Sequence, residues 1–250
     1  MKKWILAVAV TAAFSSSLAH AEDSKPDNEV SFNAALTSDY RYRGISQTRL
    51  QPALQGGADY VHNPSGFYAG TWMSTIKFIN DAGGSGDVEI DLYGGKRGAI
   101  NKDVSYDVGV LTYVYPSNNL TPSINTTEVY GQLGYGPAYI KYSHAITNLF
   151  GFVDSKNSGY LDIGANLDMV DGYILNLHAG HQKVSGENAG VSNNRFSYTD
   201  WKIGVTKDFS IVTGALAVIA TDADKSAYAS PANGKFMGKS TVVVSISKTF

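Results

Sequence analysis

The chain has 250 residues, with 20 Lys and Arg against 22 Asp and Glu and a formal charge of −2 at pH 7, a balance that excludes the basic face a nucleic-acid binder needs. Charged residues make up 17% of the chain, below the roughly 25% of soluble domains. Gly 26 and Tyr 16 are high and cysteine is absent, which removes disulfides, thiolate chemistry and Cys-ligated metals together.

The first residues read as a secretory signal peptide over 1–21. Met1-Lys2-Lys3 is a positively charged start, Trp4 to Phe14 a short apolar run, and Ala19-His20-Ala21 a small-x-small cleavage site. A retained transmembrane helix needs about 20 apolar residues, and Ser15-Ser16-Ser17 breaks the run too early. Loss of Lys2 and Lys3 takes the charge from −2 to −4. A polar leader covers 22–29, and 30–250 reads as one domain without an internal boundary.

From Val30 onward apolar and polar residues alternate with a period of two, the signature of strands with one oily and one wet face. Twelve such segments follow, at 30–40, 52–62, 66–78, 87–97, 103–115, 126–135, 137–147, 158–169, 172–181, 198–208, 211–221 and 240–250. Their length suits a tilted strand crossing a bilayer, which takes about 9–11 residues, and exceeds the ~5–6 of a globular strand. Connections alternate as well. Those after even-numbered segments are short, such as His62-Asn63-Pro64-Ser65-Gly66 and Val170-Asp171-Gly172. Those after odd-numbered segments are long, such as Arg41 to Gln51 and Asp222 to Lys239. The pattern predicts an all-β fold: a single antiparallel up-and-down transmembrane barrel of about twelve strands, with short turns on the periplasmic side and long loops outside. Lipid offers no partner to an open sheet edge, so such a sheet must close.

The last segment places Val242, Val244, Ile246 and Phe250 on one face, with Lys248 as a departure that snorkels from the interface. An aromatic final residue on such a strand suits recognition by the barrel-assembly machinery. Lipid is expected against Leu54, Ala58 and Tyr60, Tyr68, Trp72, Ile76 and Phe78, Val88, Ile90 and Leu92, and the matching residues of later segments. Tyr40, Tyr60, Tyr68, Phe78, Tyr106, Tyr135, Tyr173, Tyr198 and Phe209 are expected in two interfacial girdles. Segment 211–221 is apolar on both faces and takes no orientation from its pattern. A water-soluble barrel with the apolar face inward is the alternative, and twelve long strands argue against it.

The opposite face collects Asp39, Arg41, Asp59, Lys77, Glu89, Asp91, Asp107, Glu128, Lys141, Asp162, Asp168, Asp200 and Lys202 as expected pore-lining residues. Acids outnumber bases, so the lumen should favour cations weakly; the alternative is that the lysines pair across strands and plug the barrel. Other chemistry is set aside. His178 and His181, three apart, point to opposite strand faces and make poor joint ligands. Ser143-His144 diverge likewise, so His144 cannot act as a base for Ser143, and Ser74, open to a lipid-facing reading, has no evident His beside it. Glu89 and Asp91 are same-face neighbours of a kind any wet face carries. Asp81-x-x-Gly-x-Gly-Asp87 lacks a Ca²⁺ ligand count and reads as a flexible loop. No catalytic residue, metal or cofactor is expected.

Four ordered blocks carry a family resemblance: Thr37-Ser38-Asp39-Tyr40-Arg41-Tyr42-Arg43-Gly44-Ile45-Ser46-Gln47, Pro52-Ala53-Leu54-Gln55-Gly56-Gly57, Gly66-Phe67-Tyr68-Ala69-Gly70-Thr71-Trp72 and Glu89-Ile90-Asp91-Leu92-Tyr93. The chain resembles the TorF-type porin family, also called Gcw_chp. The resemblance implies a bacterial outer-membrane location and a channel. Physically, Gly44 can take positive φ and end the first strand, which leaves Arg41 and Arg43 to pair with Asp39 or lumen acids, Arg43 at the outer rim. Binding of a solute carboxylate or phosphate is the second role open to them. The functional expectation is a porin passing small polar solutes or ions by diffusion, in contact with outer-membrane lipid and lipopolysaccharide. The alternative is a narrow or plugged barrel whose outer loops bind a partner.

Overall fold

Period-two alternation becomes hydrogen-bonded ladders in the computed structural model, which describes residues 26–250. Twelve antiparallel strands close into one barrel. They are β1 Asn28–Thr37, β2 Ala53–His62, β3 Phe67–Thr75, β4 Val88–Ala99, β5 Val104–Val114, β6 Thr126–Tyr135, β7 Ala138–Ala145, β8 Gly159–Asp168, β9 Tyr173–Lys183, β10 Tyr198–Asp208, β11 Thr213–Thr221 and β12 Thr241–Thr249. Each pairs with its sequence neighbours, and β12 closes onto β1 with Asn33 opposite Thr249 and Thr37 opposite Ser245. The predicted twelve-stranded barrel is the observed one. The signal peptide expected over 1–21 lies outside the described residues.

Among the described residues no helix is long and apolar enough to cross a membrane. The helical structure of the described residues is a four-residue helix, α1 Phe78–Asp81, and two 3-10 turns. The stretch around Asp81 and Asp87, read from sequence as a flexible loop, is organised by α1. Ile79 is fully buried there, Asp81 pairs with Arg49, and Asp87 accepts from Asn80 and Lys77.

The outer surface is apolar along the strands: Leu54, Leu92, Val108, Leu133, Ile163, Ile203, Leu216 and Val244 all stand exposed. At the short-turn end Tyr60, Phe67, Tyr135, Tyr173, Phe209 and Phe250 are exposed. Lysines lie over four of those rings: Lys96 over Phe67 at 5.1 Å, Lys207 over Tyr173 at 4.1 Å and over Phe209 at 5.7 Å, and Lys248 over Phe250 at 5.4 Å. Aromatic rings with snorkelling lysines are the chemistry of a headgroup boundary. Lys248, the departure in the last strand, belongs to this ring.

Several lipid-facing assignments are reversed. Tyr68, Trp72 and Ile76 point into the barrel and are buried, as is Ser74. Phe78 sits on α1 against an inner cluster that includes Trp72 and Ile79. Of the expected girdle residues, Tyr40, Tyr68 and Tyr198 are also interior. Alternation divides a strand into two faces but does not say which is inside, and β3 carries its largest rings inward. For β11 the answer comes from pairing: Thr213 and Ile219 are buried while Leu216 and Val218 are exposed.

Inward tyrosines lean over glycines of adjacent strands. A Cβ at Gly109 would lie 2.6 Å from the Tyr130 hydroxyl, and one at Gly180 would collide with the Tyr160 hydroxyl. The glycines thus give bulky rings a place in a narrow lumen.

Candidate functional site

The interior at the long-loop end is filled by the connection between β1 and β2, residues 38–52. A short hairpin within it pairs Arg41 with Ser46 and Tyr42 with Ile45. Its tip is the Arg43-Gly44 turn, with Arg43 at φ 45° and Gly44 at φ 80°. A Cβ on Gly44 would meet Thr221 and lie 2.7 Å from the Asp200 Cβ, so the tip rests against β10 and β11.

Three anchors hold this loop inside the barrel. Tyr40 donates its hydroxyl to Glu89 on β4, whose other oxygen accepts from Tyr115 at 2.7 Å. Tyr42 donates to the Tyr113 hydroxyl at 2.8 Å. Arg43 donates to Glu128 on β6 at 2.7 Å and to Gln182 on β9 at 2.6 Å, with its guanidinium 4.2 Å above the Tyr160 ring. Arg43 is therefore not at the outer rim but within the mouth, buried. Arg41 and Asp39 bond each other at 2.5 Å, and Asp39 also accepts from Ser46 and Thr48. An apolar cluster of Tyr40, Trp72, Ile76, Ile79, Tyr113 and Ile124 packs beside these polar contacts. Ile76 and Ile79, in the connection between β3 and β4, are fully buried in this cluster, which contributes about 1.5–3 kcal/mol each to the fold.

Below the loop the expected interior residues divide. Asp107 accepts from Tyr68 at 2.5 Å, and Asp59 from Tyr93 at 2.5 Å. Lys141 stands 4.0 Å over the Tyr130 ring. Asp162 and Asp200 flank His178, each at 2.8 Å from one ring nitrogen, and Tyr160 donates to Asp200 at 2.7 Å. Lys202 also faces inward on β10. Asp91 is buried beside Glu89. Two expected lining residues lie elsewhere. Lys77 precedes α1 with its side chain 44% exposed and pairs with Asp87, and Asp168 is exposed at the short-turn end of β8.

Sequence reasoning missed His178 between two aspartates and the inward tyrosines. The available signal was parity: His178 shares its face with Asn176 and Gln182, both of which look inward. His181 is exposed on the opposite face, as the spacing required. Among the described residues no group of three or more His, Asp or Glu is placed to hold a metal.

The lumen is unevenly filled. Carboxylates and tyrosines crowd β4 to β8, whereas β11, β12 and β1 present Ala35, Ala215, Ala217, Ser245 and Ser247. Along that small-residue wall lies a cavity of about 110 Å³, bounded at its loop side by Asp39 and Arg41 and reaching Lys202, Asn176 and Thr206. Three buried polar atoms have no partner among the described residues: Arg41 Nη2, Asp91 Oδ1 and Glu128 Oε1.

A family model described as "Bacterial protein of unknown function (Gcw_chp)" matches residues 20–250. No curated protein matches the chain. Among solved structures, the KdgM porin is similar over 88% of this chain and 97% of its own, with TM-score 0.54 and 6% identity. The same values hold for the KdgM porin in complex with disordered oligogalacturonate. The NanC porin matches over 88% of this chain and 98% of its own, with TM-score 0.52 and 9% identity. At these identities the likeness is one of fold.

Proposed function

The chain belongs to the Gcw_chp family, and from that premise we propose that it is a bacterial outer-membrane channel of porin type for small polar solutes or ions, narrowed by its first loop. The observation that carries this reading is the inverted distribution of polarity: hydrocarbon side chains outside, ionised and hydroxyl-bearing side chains inside. A closed barrel of that kind satisfies every strand edge without water, which is what a bilayer demands. Fold likeness to porins, one of them solved with an oligogalacturonate, supports it. The TorF-type porin designation suggested by the sequence motifs is part of the same reading.

The mechanism is diffusion along the small-residue wall, where Ala, Ser and Thr leave room and hydroxyls replace part of a solute's hydration shell. Nothing turns over and no cofactor takes part. Twelve strands enclose less than the 16–18 of wide aqueous pores, and the loop 38–52 reduces the section further, so conductance is small. Interior Asp39, Asp59, Glu89, Asp91, Asp107, Glu128, Asp162 and Asp200 outnumber Arg41, Arg43, Lys141, Lys202 and Arg97, which stands opposite Asp107 and over the inward Tyr68 ring, and the excess favours cations weakly. Outer-membrane lipid covers the apolar belt, lipopolysaccharide borders the long loops, and Phe250 is read during assembly.

The docked loop favours a second reading, a plugged barrel whose outer loops bind a partner. Swelling of liposomes carrying the purified protein separates the two. Permeation of sugars and amino acids by the full chain, increased when 41–46 is replaced by a short glycine-serine turn, supports the channel. Silence from both proteins supports the plug. Reversal potentials in a salt gradient test the ion preference, and anion selectivity would reverse its sign.

A further inference from the structure

We propose that the outward face of β10 to β12, at the short-turn end, holds a site for an anionic phospholipid headgroup, gripped between Lys207 and Lys248. The proposal rests on the membrane reading and names one lipid that the apolar belt selects.

Both ammonium groups are held in place by aromatic rings. Lys207 stands 4.1 Å over the Tyr173 ring of β9 and 5.7 Å from that of Phe209, and Lys248 stands 5.4 Å over Phe250. A ring face attracts an ammonium but occupies little of its hydrogen-bonding capacity, so each lysine is positioned while N–H donors stay available to a ligand. Among the described residues neither ammonium is in an ion pair.

Register brings the two lysines to one patch. Lys207 lies opposite Gly214, and Gly214 opposite Ile246, so Lys248 is two strands across and two residues further along on the same face. A strand spacing of about 4.8 Å and a rise of about 3.4 Å per residue put their Cα atoms on the order of 12 Å apart. Two flexible four-carbon stems close on one headgroup from that separation. At Gly214, between them, the Phe209 ring lies 3.1 Å from where a Cβ would stand, and it gives the headgroup an apolar floor. Val205, Leu216 and Ile246 stand exposed beyond it, as a wall for the acyl chains.

Charge on this face selects the headgroup. Along β10, β11, β12 and β1 no acidic side chain has the outward parity; Asp200, Asp208 and Glu29 all carry the inward one. The terminal carboxylate of Phe250 accepts from the Phe32 amide at 3.2 Å, which leaves two ammonium groups against one carboxylate. A phosphodiester with a neutral glycerol head completes that balance. A zwitterionic head brings a cation of its own, which the lysines repel.

The test is native mass spectrometry of the full chain released from nanodiscs that hold phosphatidylglycerol and phosphatidylethanolamine in equal amounts. One phosphatidylglycerol retained in preference to phosphatidylethanolamine is expected. Lysines near an anionic headgroup are worth about fivefold each, so Lys207→Gln or Lys248→Gln should cut the preference by that factor and both together by on the order of 25-fold. Lys96→Gln, on β4 away from the patch, should leave it unchanged, and Lys207→Arg with Lys248→Arg should preserve it. The comparison of the two lipids on the parent chain decides the matter even if the glutamine variants fail to fold. Equal retention of both lipids by the parent, full preference in the double glutamine variant, or retention of added lipid A in place of phosphatidylglycerol would overturn the proposal. Failure of the membrane reading is a separate result, a chain that stays monodisperse without detergent and enters no nanodisc, and it removes both. An embedded barrel without lipid preference keeps the membrane reading and overturns the site alone.

Discussion

Arg43, at the tip of the first loop, donates to Glu128 on the wall of β6 at 2.7 Å, and their side chains are only 7% and 1% exposed. A loop residue thus forms a buried ion pair with a residue 85 positions later, so the barrel mouth and the loop that occupies it are one structure. Gln182 and the Tyr160 ring complete the guanidinium's surroundings, leaving little reason for the loop to open spontaneously.

Removing one partner of that pair leaves the other buried and uncompensated, at a cost of about 3–5 kcal/mol. Arg43→Ala should therefore release the loop while the twelve-strand ladder persists. Single-channel recordings should show conductance severalfold higher and noisier, with the folded band on unheated gels retained. Adding Glu128→Gln should restore part of the lost stability. Unchanged conductance in Arg43→Ala would mean that the ion pair does not hold the constriction.

Gly44 offers a second route to the same state. Its φ of 80° costs an L side chain about 1–3 kcal/mol, and a Cβ would press on Asp200 and Thr221. Gly44→Ala should raise protease cleavage within 38–52 without altering the β-sheet circular dichroism. Equal protection of variant and parent would count against a tightly seated tip.

The outward face of β8 tests the membrane assignment. Ile163 is exposed at mid-strand, next to inward Asp162. Ile163→Lys puts a charge in hydrocarbon, which costs about 2–4 kcal/mol at the midplane. Denaturant titration in phospholipid vesicles should show that loss. If the variant is as stable as the parent, hydrocarbon does not lie against β8.

Asp224, in the last long loop, gives a pH dependence outside the strands. Hydrogen bonds from the Ser226 hydroxyl and from the backbone of Ala227 and Ser226 hold its carboxyl below the ordinary 3.8. A depressed carboxyl contributes order above its unfolded pKa and loses it as pH falls through the folded value. The Ser226 and Ala227 amide resonances should hold steady from pH 7 to 5 and move toward random-coil shifts in stronger acid. Movement between pH 7 and 5 would contradict the assignment.

The twelve strands were legible because period-two alternation is a local property, and β6 and β10 were bounded to the residue. Turn chemistry at His62 to Gly66 and at Val170-Asp171-Gly172 was equally local. The apolar exterior of most strands followed from the same parity, since both sides of a bilayer-spanning strand differ strongly in polarity. Lys248, the departure in the last strand, lies over the Phe250 ring at 5.4 Å, a position its own segment could suggest because the two residues share parity.

What the sequence alone could not decide is which way a strand faces when both stripes are bulky, and where a long loop goes. Trp72 and Ile76 look inward because the loop 38–52 and α1 bring apolar surface into the mouth to meet them, and Tyr68, nearer the short turns, looks inward to bond Asp107 and Tyr130, contacts made only after closure. Arg43 reaches Glu128 because the closed barrel holds the folded-in loop against that wall, and His178 sits between Asp162 and Asp200 because the register of β9 with β8 and β10 sets them side by side on one inner face. Local pattern set the number, length and polarity of the strands. Packing across the closed barrel set its contents, since side-chain fit over long sequence separations depends on a geometry that exists only once the first strand has met the last.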